Sequence, residues 1–463
     1  MKTARILAAS FSPCPRLPGP LRIALIGAGV RGSHLARQAA RAGGAVIAAV
    51  AEPDPARRRL CAREHGIGPA ARFESWQTLC AGTAAFDGVI VATLDNQHTG
   101  PVLASLDRGW HVLTEKPLAD TLADCRRIVR AQQRSGCVVS VCHTLRHLET
   151  YRRIRQTVRS GDLGRLIHIE HMEAIGHLRF AHNYVRGRWA RQADNTFLLL
   201  HKCCHDLDFL AWLTDSPCVR VASFGALTYF KPEHAPRNSA TRCLACRHRD
   251  TCLYSAPRLY LDADPTGRRA DLGPGSTRAE RLKALRRGPY GACVWRAGND
   301  VVDHQVVALS FADGATATCV MTGFSATHGR RTRVQGTRGE LRFDEAEGTL
   351  TLHPFGGGPA KALAIPPRQG YHPEDREIVS RWLAAIRDPA ADVAVDAREA
   401  LRTHAIAFAA EQSRLTHRLV APRDADTVSL TVTHRQSRTA PPVARAAGGR
   451  VRSHRAPTPR KTH

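Results

Sequence analysis

The sequence predicts an α/β protein: an N-terminal Rossmann-type, doubly wound parallel sheet followed by a C-terminal α+β domain with an open, mostly antiparallel sheet. Three observations carry that expectation. Apolar strand-like runs alternate with helical spacing from Leu21 to His143; a glycine-rich turn joins the first strand to the first helix; and beyond His147 the strand-like runs are linked by turn residues.

Ile23 and Leu25 lie in a short apolar strand that runs into Gly27-Ala28-Gly29-Val30-Arg31-Gly32, after which Leu35, Ala39 and Ala42 recur at helical spacing. Gly27 permits the tight turn, and Gly29 lets a pyrophosphate approach the backbone. Gly32 lets the helix lie close to the strand, and Val30 and Arg31 open its first turn, where backbone amides face an anion. A second strand, Val46 to Ala51, ends at Glu52, where a dinucleotide fold sets the acid that binds ribose hydroxyls. A lone glycine motif is weak evidence, but strand, helix and spaced acid together predict dinucleotide binding. Glu52 repels a 2′-phosphate and favours NAD, while Arg57, Arg58 and Arg59 leave room for NADP.

The alternation continues through residues 88–94, a helix from about Gln97 to Arg108, "HVLTEKP", a helix from about Leu122 to Ser135, and residues 138–143. Such sheets bind ligands at the carboxyl ends of their strands. Thr93, Asp95, Asn96, His98, Glu115 and Lys116 fall there, with helix capping the expected role of Asp95 and Asn96. Lys116 stands out chemically. Of 67 Lys plus Arg, lysine occupies only positions 2, 116, 202, 231, 283, 361 and 461. Keeping lysine against that habit marks Lys116 and Lys202 as positions where a compact ammonium able to exchange its proton has value.

The stretches "GAGVRG", "VATLDNQH" and "TEKPLAD", with the later "AIAFAAEQSRLTHRLV", resemble the Gfo/Idh/MocA family of nicotinamide-dependent sugar and polyol oxidoreductases over about Leu21 to Leu419. The resemblance implies that Glu115, Lys116 and Pro117 form the family's E-K-P element, with the lysine beside the nicotinamide and the reacting carbinol and the bond to proline often cis. It also maps "HKCCHDLD" onto a D-x-x-x-H-x-x-D signature. His205 then takes the histidine, Asp208 the last acid, and His201 replaces the first aspartate, with Lys202 beside it. Oxidising a carbinol requires a base near the working pH, a task open to His205, alone or shared with Lys116. Upstream, "AHNYVRGRWAR" is similar to an H-S-x-V-R-G-x-W loop of the family, with a purely structural loop the alternative. His182, Tyr184, Arg186 and Trp189 there, with His201 and Lys202, are the candidate substrate contacts, in a segment too polar and irregular for a core strand.

Cys243, Cys246 and Cys252 in "RCLACRHRDTC" place three thiols in one charged loop, and a tetrahedral ion wants a fourth ligand. Cys293 is the first choice because similar family members carry a cysteine there; His248 is the local competitor. A structural zinc is the leading reading, an iron–sulfur cluster the second, and free thiols the alternative.

At 463 residues and 43% hydrophobic, the chain can bury a large core. The expected organisation is a disordered lead over 1–20, a dinucleotide-binding domain over 21–146, and a substrate-binding and oligomerisation domain over 147–420 that carries a cysteine-rich insertion at about 236–293. A disordered basic tail over 421–463 would follow. No apolar run is long enough to span a membrane, and the patch from Ile6 to Phe11 is shorter than a secretory core, so a cytoplasmic setting with reduced thiols is expected. Of the net charge of +26, seven units lie in the tail and the rest is scattered arginine. Without interleaved aromatic residues this favours weak electrostatic sticking over specific nucleic-acid binding. The expected partners are a small carbohydrate or polyol substrate and further copies of the chain. Two further functions stay open: an NAD-dependent glycosidase working by transient oxidation and elimination, and a non-catalytic NAD-sensing or nucleic-acid-associated protein.

Overall fold

The computed structural model describes residues 19–262, 272, 277–366, 372–388, 390–393 and 395–424. Apart from Gly19, Pro20 and residues 421–424, the expectations of a disordered lead and a disordered basic tail lie outside the described residues.

The first sheet is built from β1 (Leu21–Ile26), β2 (Ala45–Ala51), β3 (Arg72–Phe73), β4 (Gly88–Val91), β5 (His111–Thr114) and β6 (Val139–Val141). Its spatial order is β3-β2-β1-β4-β5-β6, with every pairing parallel. The crossovers are α1 (Val30–Arg41), α2 (Pro55–His65), α3 (Trp76–Ala81), α4 (Thr99–Asp107) and α5 (Leu122–Ser135). Helices on both faces explain why β4 is buried at every residue and reads as a continuous apolar run. The strand order reverses between β1 and β4, which sets the carboxyl ends of β1, β4 and β5 around one crevice.

The chain continues through α6 (Glu149–Arg159), β7 (Leu166–Ala174), α7 (His177–Phe180), α8 (Leu198–Thr214), β8 (Cys218–Ala226) and α9 (Arg278–Arg287). Next come β9 (His304–Phe311), β10 (Thr316–Thr322), β11 (Gly329–Gly336), β12 (Gly339–Asp344), β13 (Thr349–Pro354) and β14 (Lys361–Ala362), then α10 (Asp375–Arg387) and α11 (Ala397–Thr416). The second sheet runs β14-β13-β12-β11-β7-β10-β9-β8, antiparallel except for β7 with β10. Its inner positions, such as Val307, Leu309, Ala317 and Cys319, are buried, with α8 and α11 packed against it. On the outer face the register aligns Phe224, Val306, Val320 and Met172 in one row across β8, β9, β10 and β7.

Although it lies within the 147–420 span expected of the second domain, α10 closes the first sheet. Ile378, Val379, Trp382, Leu383 and Ile386, at helical spacing, join the core of Leu21, Ile23, Leu25 and Leu35. One expectation is corrected. Residues 181–186, anticipated as irregular loop, continue α7 as a wide helical turn with all six residues buried. Polarity misled there because His182 and Arg186 find partners inside the protein.

Candidate active site

At the first β–α turn, Gly27 has φ of +89°, and a Cβ there would lie 2.6 Å from the Ala92 carbonyl oxygen. A Cβ on Gly32 would come within 1.9 Å of the Gly27 oxygen, so only glycine lets α1 start this close to β1. Nothing stands within 4 Å of the corresponding position on Gly29. The N-terminus of α1 has no side-chain cap, and Val30 is 74% exposed at its mouth. Open backbone, uncapped amides and helix dipole together fit a pyrophosphate. Glu52 is buried at the end of β2. Its two carboxylate oxygens accept from the Ala28 and Asp54 amides at 2.7 and 3.0 Å, which fixes it beside the turn with lone pairs to spare for ribose hydroxyls. Arg58 donates to the Glu52 carbonyl and to Glu74, so that arginine is engaged locally.

Three of the residues expected to contact the cofactor act on the protein itself. Arg31 bonds Glu115 at 2.7 Å and forks onto Asp375, tying α1 to the end of β5 and to α10. Its contribution to the turn is its backbone amide. Glu115 takes Arg31 on one oxygen and the Lys116 amide on the other. Burial works against its charge, but Arg31 and Lys116 overcome this and hold the carboxyl below its usual range. His98 is fully buried, with Nδ1 2.6 Å from the Pro117 oxygen, and so braces the cis Lys116–Pro117 bond from behind. Thr93 remains half-buried on the loop after β4.

Lys116 reaches across to the second domain, where its Nζ donates to the His201 carbonyl at 2.6 Å, in the first turn of α8. His205 follows one turn later, partly exposed, and its Nδ1 has no partner. Burial and then the Lys116 charge hold its pKa well below the ordinary histidine value, leaving a neutral ring. Behind it, His143 makes edge contacts with both His205 and His404 at 5.5 Å. Nitrogens of His143 and His205 and the sulfur of Cys204 lie within 4.8 Å of one another. Burial pushes the Cys204 thiol up to about 12, so it keeps its proton. Asp208 is forked by Arg146 at 2.7 Å on both oxygens and holds the frame below this cluster.

His201 gains a partner that the sequence reading assigned to capping. Asp95 Oδ2 lies 2.5 Å from His201 Nδ1. Burial opposes the Asp95 charge, yet His201 and Lys116 bring its pKa down to about 2; burial and Lys116 lower that of His201. An anionic Asp95 beside a neutral His201 puts the shared hydrogen on Nδ1 and leaves Nε2 as an acceptor. The carboxylate absent from position 201 is thus supplied by the loop after β4. Trp189 lies over His201 with ring centres 4.9 Å apart and Tyr184 stands edge-on at 5.9 Å, so these two residues wall the site.

The other expected substrate contacts turn away, and helix geometry explains why. His182 and Arg186, one turn apart, share a face directed at the cysteine-rich insertion. His182 Nδ1 is 2.7 Å from the Tyr260 hydroxyl, and its ring stacks on Tyr290 at 4.5 Å. Arg186 donates to the carbonyls of Ala292 and Tyr254 at 2.7 Å and to Cys243 Sγ at 3.3 Å. Lys202, rotated about 100° from His201 around α8, pairs with Glu173 of β7 at 2.6 Å.

Cys243, Cys246, Cys252 and Cys293 line one small cavity with Arg186 and His248. An antiparallel bridge between Arg242 and Ala292 brings the first and last cysteines together. His248 Nε2 donates to the Arg237 carbonyl at 2.9 Å, which leaves its Nδ1 as a ring acceptor beside the four cysteines. Among the described residues the set of metal-ligating groups drawn within 4.8 Å is His143, Cys204 and His205, so the four sulfurs stand wider apart than a bound ion would hold them.

A family model described as the oxidoreductase family, NAD-binding Rossmann fold, matches residues 21–143, and the model of its C-terminal α/β domain matches residues 155–421. The chain belongs to the Gfo/Idh/MocA family. Among curated proteins, this Gfo/Idh/MocA chain is similar to 1,5-anhydro-D-fructose reductase of Ensifer adhaerens, 32% identical over 203 residues (43% of this chain, 59% of the relative). It is also similar to inositol 2-dehydrogenase 1 of Saccharopolyspora erythraea, 30% identical over 205 residues (43% and 56%). The chain spans less than two thirds of the length of these relatives. An inositol dehydrogenase homolog from Azotobacter vinelandii solved with NAD+ shares the fold, with TM-score 0.65 at 16% identity over 88% of this chain and 98% of that one. So does an oxidoreductase from Agrobacterium radiobacter solved with NAD+, L-tartaric acid and magnesium, with TM-score 0.64 at 18% identity over 87% and 98%. Among the described residues no helix of this Gfo/Idh/MocA protein is long and apolar enough to cross a membrane.

Proposed function

We propose that this protein is an NAD(P)-dependent oxidoreductase that moves a hydride between the nicotinamide and a hydroxyl carbon of a sugar, polyol or inositol-like substrate. The observation that carries this reading is the Lys116 ammonium seated on the first turn of α8, the helix that also presents the neutral ring of His205. When bound, the dinucleotide supplies the hydride acceptor. Gly27, Gly29, Gly32 and the amides of Val30 and Arg31 are the groups that would hold its pyrophosphate, and Glu52 its ribose, which favours NAD. The side chains manage the proton. Lys116 donates to the carbinol oxygen and stabilises the negative charge that grows as the O–H bond breaks. His205 accepts that proton on a ring nitrogen, and a ketone remains once the hydride has left the carbon. His201, held by Asp95, offers Nε2 to a neighbouring hydroxyl, and Trp189 and Tyr184 offer faces to a ring bearing several hydroxyls. The sugar and polyol substrates in the names of the similar proteins support this substrate class. The test is a screen of sugars, inositols and amino sugars with NAD+ and NADP+ in turn. Reduced dinucleotide should accumulate with at least one alcohol. Sugar release without net reduction would replace hydride transfer by transient oxidation and elimination.

We further infer that Cys243, Cys246, Cys252 and Cys293 close on a structural zinc, the thiolates turning inward onto one tetrahedral ion. Their shared cavity and the antiparallel bridge between Arg242 and Ala292, which brings Cys243 and Cys293 together, support this. Elemental analysis of the purified full chain should find about one zinc per chain, lost in Cys293→Ser. Iron in its place would select the cluster, and neither metal would leave free thiols.

A further inference from the structure

A second cavity, of about 1270 Å³, opens between α5, α6, the C-terminal end of α8, α10 and the start of α11. Lys116, His201 and His205 are not among its lining residues. Its charge is lopsided: eight arginines line it against three acids. Arginine makes up about a third of the lining but about an eighth of the chain, so the concentration exceeds the general habit of this sequence.

The acids are already spent. Asp215 pairs with Arg159, Asp392 with Arg381, and Glu399 with Arg146. Arg152 is answered by Glu377. Among the described residues, Arg126, Arg155 and Arg402 have no carboxylate partner. Arg155 is the most telling of the three: its guanidinium lies over Trp212, 4.2 Å from the ring centre, and its Nε is buried without a hydrogen-bond partner. Burial and the neighbouring Arg159 both pull its pKa below the ordinary value, as happens to a cation crowded by like charge. Guanidinium forks match phosphate oxygens two at a time, and an anion would satisfy that donor and relieve the crowding.

We propose that this cavity binds a small molecule carrying several phosphates, taken up by Arg126, Arg155 and Arg402. The space exceeds what one phosphate fills and is at least that of ordinary small-ligand sites, at ~300–1,000 Å³. A single-stranded nucleic acid would need open aromatic faces for its bases, whereas the Trp212 ring is covered by Arg155.

The probe is inorganic triphosphate, titrated into the full chain at physiological salt by calorimetry. Saturable binding of one triphosphate per chain is expected. It should weaken tenfold or more in Arg155→Gln/Arg402→Gln and stay within twofold in Arg286→Gln/Arg287→Gln, which removes two exposed charges from α9. Arg402→Gln alone, at an exposed position of α11, gives the same direction of change should the double variant fail to fold. Four results would each overturn the proposal. These are no saturable binding, equal losses in the two double variants, full binding retained without Arg155 and Arg402 (which moves the anion to the glycine turn), and tighter competition by a single-stranded oligonucleotide than by triphosphate.

Discussion

Replacing Lys116 by arginine lowers turnover by about a hundred- to a thousand-fold, the cost of losing one positioned donor to a developing oxyanion, while the dinucleotide dissociation constant stays within a few-fold. The ammonium fits a 2.6 Å contact with the His201 carbonyl. A guanidinium is planar and wider, so it displaces the carbinol oxygen from the place where the ammonium stabilises its growing charge. A companion variant separates charge from chemistry. The Lys116 charge is the second cause, after burial, of the lowered His205 pKa. Lys116→Met therefore lets His205 bind its proton more tightly, and the acid limb of kcat/KM moves to higher pH. Arginine keeps the charge and leaves that limb in place. Steady-state kinetics across pH, with fluorescence titration of the dinucleotide, read both effects. Undiminished turnover in Lys116→Arg would remove Lys116 from the reaction.

The largest loss of stability is expected from Asp206→Ala. Asp206 is fully buried between α8 and the second sheet, accepting from His171 at 2.9 Å and from Arg330 at 2.6 Å. Arg330 also serves Glu173, which in turn holds Lys202. Deleting the carboxylate leaves the buried Arg330 guanidinium short of its main partner, with Glu173 still beside it, and takes one partner from the His171 ring, which costs about 3 kcal/mol. Burial opposes the Asp206 charge, but Arg330 and His171 prevail and depress its pKa far below the usual range. The stabilisation is thus fully present above the unfolded carboxyl pKa of about 3.9 and is lost as pH falls toward the folded value. Urea midpoints should drop at neutral pH, and the gap between variant and parent should narrow in acid. A gap that widened in acid would mean that Asp206 folds protonated.

Local patterns carried the parts of the molecule where one stretch of chain makes its own case. The glycine turn with Glu52 was legible because its spacing states its geometry, while the E-K-P lysine and His205 stood out through the family resemblance. Asp95 was not, since its partner lies 106 residues away and a short acid ahead of a helix ordinarily reads as a cap. Lys202 and Arg186 drew attention as cations near a site, yet rotation around a helix decides which neighbour points inward, and that rotation depends on packing that no local pattern encodes. The helical turn at 181–186 was hidden by its polarity. Its histidine and arginine are satisfied by Tyr260, Tyr254, Ala292 and Cys243, all from the insertion that follows.

That insertion leaves the second sheet after Ala226 and rejoins it at His304, and these two residues face each other in the β8–β9 ladder. It is therefore the tip of one oversized hairpin, and its endpoints would be adjacent whatever its length. Closing such an excursion becomes only about 0.6 kcal/mol harder each time it doubles. The architecture thus leaves room here for lineages to lengthen, trim or exchange a whole module while the strand pairing underneath, and the crevice it supports, need not be rebuilt.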